Sequence, residues 1–102
     1  MELNLARHGG QKGKITCDVP DSGSASIPEA LVAELIGLGV AGFPTISITR
    51  VAAGSASVSG GTVELVVRSS VDLDVTVPGL VSCADDTHCP DGQTCQDDQQ
   101  CK

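Results

Sequence analysis

The C-terminal end of the chain places the hardest constraint on what it can fold into. Cys83, Cys89, Cys95 and Cys101 recur with five residues in every gap, and between them lie Asp85, Asp86, Pro90, Asp91, Gly92, Asp97 and Asp98. Turn formers and charges of this kind offer almost no apolar area, so burial cannot offset the roughly 1–2 kcal/mol of backbone entropy that each ordered residue costs. Residues 83–102 are therefore ordered by covalent or metal bonds, or they are disordered. Four cysteines allow three pairings. The interleaved one, Cys83–Cys95 with Cys89–Cys101, is favoured because each bond closes a loop of about a dozen residues, worth about 3 kcal/mol in loop entropy, and the two loops lock each other. Zinc is the rival reading. Structural zinc sites usually present C-x2-C or C-x4-C knuckles that aim adjacent thiolates at one ion, and uniform five-residue gaps contain none.

Between residues 83 and 101 the pattern C-x-x-D-x-x-C-P-x-G-x-x-C-x-x-x-x-x-C, carried by Asp86, Pro90, Gly92 and Gln93 with the four cysteines, resembles short segments of secreted and lipid-anchored bacterial surface proteins. The resemblance implies an extracytoplasmic, disulfide-bonded, non-catalytic module, and it names no ligand. Disulfides persist in oxidising compartments, so an export signal is expected. Met1–Gly10 carries Glu2, Asn4, Arg7 and His8 and has no uninterrupted apolar run. The signal sequence is therefore expected to lie outside this chain, upstream or removed.

The preceding residues, 1 to 81, read as a separate β-domain joined to a cysteine-rich tail, 82 to 102, through Val77-Pro78-Gly79. Lys14–Val19 alternates Ile15, Cys17 and Val19 with polar residues, the period of a half-buried strand. Pro20-Asp21-Ser22-Gly23 makes a turn. Pro28 and Glu29 suit the first turn of a helix, with Leu31, Leu35 and Leu38 on one face and Gly37 or Gly39 ending it. Thr45–Val51 alternates again. In 62–69 the residues Val63, Leu65 and Val67 share a face; after Ser69-Ser70 the same holds for Val71, Leu73, Val75 and Val77, which predicts a tight hairpin at the two serines. Val40–Phe43 and Gly54–Ser59 fit neither period. Short strands split by Gly, Ser and Pro predict an all-β, antiparallel, immunoglobulin-like sandwich with one short helix and a small disulfide-rich appendage. In pattern, the body resembles bacterial immunoglobulin-like modules. Phe43 is the only aromatic residue, so aliphatic side chains must fill thin layers.

Cys17 is the odd cysteine. A buried free thiol behaving as a small hydrophobe is the plainest reading; a bond to Cys83, leaving a tail cysteine unpaired, or to a segment outside the chain, is the alternative. The net charge of −7 argues against nucleic acid, whose phosphates demand clustered cations. Of the six basic residues only Lys12 and Lys14 are close in sequence. No apolar run approaches the ~20 residues needed to cross a bilayer, so membrane insertion is not expected.

Catalysis finds little support. His8 and His88 lie in no recognisable motif, and no G-x-S-x-G elbow occurs. Asp72 and Asp74, roughly 7 Å apart on one strand face, read as a solvated surface rather than an acid/base pair. The run His8–Lys14 is Gly-rich but lacks the phosphate-loop pattern. Asp85, Asp86, Asp91, Asp97 and Asp98 are the carboxylates through which calcium would be bound, although they match no EF-hand loop. No other cofactor is expected. The expected role is that of a non-catalytic extracytoplasmic module contacting a protein partner or neighbouring domains. The alternatives are a calcium- or carbohydrate-binding module, the latter disfavoured by the lack of Trp and Tyr, and a small inhibitor or effector with a rigid tail loop.

Overall fold

The structure is a computed structural model that describes residues 1–10 and 12–102; Gln11, in the Gly-rich run, lies outside the described residues. The elements in chain order are β1 (Glu2–Asn4), β2 (Lys14–Thr16), α1 (Glu29–Gly37), β3 (Thr45–Val58), β4 (Gly61–Asp74) and a 3₁₀ turn (Asp86–His88). The strands form one antiparallel sheet in the order β2-β1-β3-β4.

The core sits at one end of this sheet. Leu3 lies opposite Ile15 on β2 and Ile46 on β3, so these three share a face. Helix α1 covers that face with Leu35, which is buried together with Leu3 and Leu5; Ile27, Val32, Val40, Val75 and Val77 pack around them. The helix starts after Pro28, which sits at the N-cap position and lacks the donor a first turn would leave unpaired anyway. It ends at Leu38, with Gly39 at φ +104 closing back to the Ile36 carbonyl. The buried stripe is Val32 and Leu35, not the expected Leu31, Leu35 and Leu38: Leu31 and Leu38 are exposed. With a sheet on one side only, the helix buries a narrow stripe.

Two backbone segments cross beside the core. Ala41 N donates to Leu5 O, Phe43 N to Arg7 O, and the chains approach so closely that a Cβ on Gly42 would stand 2.0 Å from Arg7 O. Gly42 also has φ +57, so glycine is required there on two counts.

Three further expectations change. The sandwich needs two facing sheets, and among the described residues there is one. The tight hairpin expected at Ser69-Ser70 is absent, because β4 runs straight through both serines, which pair with Arg50 and Thr49 on β3. β2 is shorter than expected, ending at Thr16, and Val19 is exposed. The first two changes have the same origin: β3 and β4 are long, they pair with each other, and nothing packs on most of their length; β2 ends where its three-residue partner β1 does. The radius of gyration is 18.8 Å and the longest dimension 69 Å, where a compact chain of this length would have a radius near 13 Å. The accessible surface is 7190 Å², against about 5,400 Å² for a compact protein of this mass.

Candidate interaction surface

The projecting part is a two-stranded arm. β3 and β4 pair residue for residue from Thr45↔Asp74 to Val58↔Gly61 with no bulge, and the loop is Ser59-Gly60, with Gly60 at φ 93. A two-residue hairpin loop needs such a left-handed position, which glycine occupies without steric cost. Of β3, β1 pairs only with Thr45–Ser47. From Ile48 to the tip the arm thus has two free edges and two open faces, over about 34 Å at 3.4 Å per residue.

Because facing residues share a side, the register sorts the arm into unlike faces. One carries Ile48 with Val71, Ala52 with Val67, Gly54 with Leu65, Ala56 with Val63, and Val58. It continues the face that α1 covers at the base. Its members are open to solvent: Leu65 is 65 %, Val63 55 % and Val67 54 % exposed. Arg50 interrupts it near the base, where Asp21 of the β2–α1 loop meets the guanidinium at 2.7 Å. The other face is mixed. Thr49 and Ser70 hydroxyls are hydrogen-bonded across the strands at 2.8 Å, and Arg7 Nη1 donates to Asp72 Oδ2 at 2.8 Å. The Ser47 hydroxyl, followed by the Arg7 guanidinium, donates to Asp72 and holds its carboxyl below the usual carboxylate range. Asp72 and Asp74 share this face, with Asp72 engaged by Ser47 and Arg7 rather than facing Asp74 as a pair.

The tail is held differently. Disulfides join Cys83 to Cys95 and Cys89 to Cys101, with Cα–Cα separations of 5.8 and 5.5 Å, and two bridges in so short a stretch point to an oxidising, extracytoplasmic environment. Cys17 is a half-buried free thiol, whose backbone pairs with that of Met1 at the sheet edge. The tail meets the body at the glycine crossing. Gly42 N donates to Asp98 O at 2.7 Å, and the buried Gln100 Nε2 donates to Gly42 O at 2.8 Å and Ser82 Oγ at 3.2 Å.

The tail carboxylates serve backbone groups rather than a shared centre. Asp85 caps the 3₁₀ turn by accepting from Thr87 N, and it meets His88 Nδ1 at 3.0 Å. The Thr87 hydroxyl and then His88 hold its carboxyl below the ordinary range. Asp86 Oδ1 accepts from Cys95 N at 2.7 Å. Asp98 accepts from Lys102 Nζ and Gln100 N, and the lysine contact chiefly lowers its carboxyl. Asp91 and Asp97 form no metal-ligating cluster with them among the described residues. Among the described residues the one cluster with metal-ligating atoms in reach of each other is Cys83, Cys89 and Cys101, whose sulfurs are already in disulfides.

Sequence reasoning located the tail residues and missed the arm. The signal for it is Gly60-Gly61, which introduces the alternating run 62–69 and marks a turn. Reading Ser69-Ser70 as the turn instead divided one strand into two. No described helix is long and apolar enough to cross a membrane. Comparison with family models, with curated proteins and with solved structures finds no match for this chain.

Proposed function

We propose that this chain is a non-catalytic structural and interaction module of an exported bacterial surface protein, and that the β3–β4 arm is its contacting element. The observation that carries the reading is the uncovered apolar face of the arm. Monomeric proteins rarely leave a long contiguous apolar strip in water; such strips mark places where another protein or domain packs. In this reading the immunoglobulin-like two-layer arrangement that the alternating pattern resembles belongs to an assembly: the chain contributes one layer, and a protein partner or neighbouring domain contributes the other, about 10 Å away. The disulfide-knotted tail keeps a hydrophilic stretch folded outside the reducing cytosol, where the strands alone could not hold it.

Two measurements on the exported protein test this. Thiol titration without reductant should find one reactive cysteine, Cys17, and five after reduction. A photo-reactive residue in place of Leu65 should yield protein adducts on the producing cell, whereas the same probe at Leu80, away from the arm, should not. Five titratable thiols without reductant would remove the export assignment. A Leu65 probe that reacts only with water would remove the arm as the contacting element.

A further inference from the structure

The free edge of β4 carries its own pairing code. Val75 N donates to Pro44 O across the β3–β4 register, and the direction of backbone groups alternates along a strand. Odd-numbered residues of β4 therefore turn their N–H and C=O groups toward β3. Thr62, Glu64, Val66, Arg68 and Ser70 turn theirs to solvent. Natural edge strands are usually blunted by Pro, bulges or repeated charge. Between Gly61 and Val71 this edge has no Pro, no bulge against β3, and two charges only, Glu64 and Arg68. Those two are of opposite sign and sit symmetrically about Val66. Among the described residues neither takes part in an ion pair, whereas Arg7, Lys14, Arg50 and Lys102 all do.

We infer that a second copy of this chain pairs with the β4 edge, antiparallel about a two-fold axis at Val66. This rests on the reading of the arm as the contacting element and adds the partner and the register. In that register Glu64 of each copy lies opposite Arg68 of the other. Leu65 lies opposite Val67 of the other copy in a non-hydrogen-bonded pair, where side chains come closest. Thr62, Glu64, Val66, Arg68 and Ser70 supply about ten backbone hydrogen bonds. The ladder joins the two arms into a four-stranded sheet. Apart from the Asp21-bound Arg50, neither the apolar face nor the outer edge of β3 from Thr49 to Val58 offers a charge to fix a register; the β4 edge alone has a charge pattern that complements itself. About 34 Å of edge buries on the order of 1,000 Å² over the two copies, at the lower end of specific interfaces, so the dimer is weak and concentration-dependent.

The test is a charge swap read by sedimentation velocity. Unmodified chain should shift from monomer to dimer as concentration rises. Glu64→Arg sets Arg against Arg twice, and Arg68→Glu sets Glu against Glu twice. Each alone should weaken the dimer on the order of 10-fold or more, and an equimolar mixture of the two should recover it as a heterodimer. In a Cys17→Ser background, Val66→Cys should cross-link as a disulfide between copies, because facing hydrogen-bonded residues stand about 5.5 Å apart at Cα; Thr62→Cys, displaced from the axis, should not. Dimerisation that ignores the charge swap and gives no Val66 cross-link would overturn the register while leaving the arm as a contact. A monomer at every concentration, with Leu65 adducts persisting on the producing cell, would overturn self-pairing and leave the proposed function standing. Loss of those adducts would remove the function itself.

Discussion

Removing one disulfide measures how far the tail depends on covalent order. In a Cys89→Ser/Cys101→Ser variant the Cys83–Cys95 bond remains, so one of two interleaved loops is released. Cys89 and Cys101 are 12 residues apart, and the chain-entropy relation for a loop of that size gives about 3 kcal/mol at 25 °C. The tail has little else to fall back on. Cys83 and Cys101 are its buried hydrophobes, and its hydrogen bonds to the body are Gly42 N to Asp98 O, Gln100 Nε2 to Gly42 O and, beside the junction, Cys101 N to Val81 O. At about 1.4 kcal/mol per factor of ten, local opening should become on the order of 100-fold more frequent. The assay is amide hydrogen exchange. Cys83 N, bonded to Gln99 O, and Lys102 N, bonded to Thr94 O, should exchange that much faster, while Ala41 N, bonded to Leu5 O in the body, should not change. Unfolding fluorescence is of no use in a chain without Trp or Tyr. Tail amides protected as well as in the parent would refute the argument, since non-covalent contacts would then suffice to order a stretch with almost nothing apolar to bury.

The glycine crossing gives a second prediction. Gly42→Ala should destabilise the body by about 2 kcal/mol or more, since the position combines a left-handed φ with a Cβ overlapping backbone. Gly54→Ala in the arm, where a Cβ meets nothing within 4 Å, should change the urea midpoint little; equal effects would show the crossing to be unimportant. The carboxylates Asp72, Asp85 and Asp98 are all held below their ordinary range. Their stabilisation is present above the unfolded value near 4 and is lost as pH falls through the folded values. Carboxyl ¹³C titrations should place all three midpoints below those of an unfolded peptide, and midpoints at or above the peptide values would contradict the contacts. Melting temperatures with calcium and with EDTA should coincide, because the tail carboxylates are spent on Thr87, Cys95 and Gln100 amides; a rise with calcium would revive a metal site.

What the amino-acid sequence determined by itself is local. Alternation with period two is a property of neighbouring residues, so strand character within Lys14–Val19, Thr45–Val51 and 62–69 is legible without a fold. The same holds for a helix opening at Pro28-Glu29, and for a tail whose polarity leaves sulfur chemistry to order it. Tertiary structure decided everything that depends on which segment meets which. Glu2–Asn4 is a strand because Ile15 and Ile46 stand on either side of Leu3, and three residues carry no period of their own. β4 continues through Ser69 and Ser70 because Arg50 and Thr49 lie in register to receive them, which no local turn propensity encodes. The expectation of two layers failed for the same reason. Alternation says that one face of a strand is apolar, but whether another layer covers it depends on chain lengths and pairing, and β3 and β4 extend well past the short helix that could have done so.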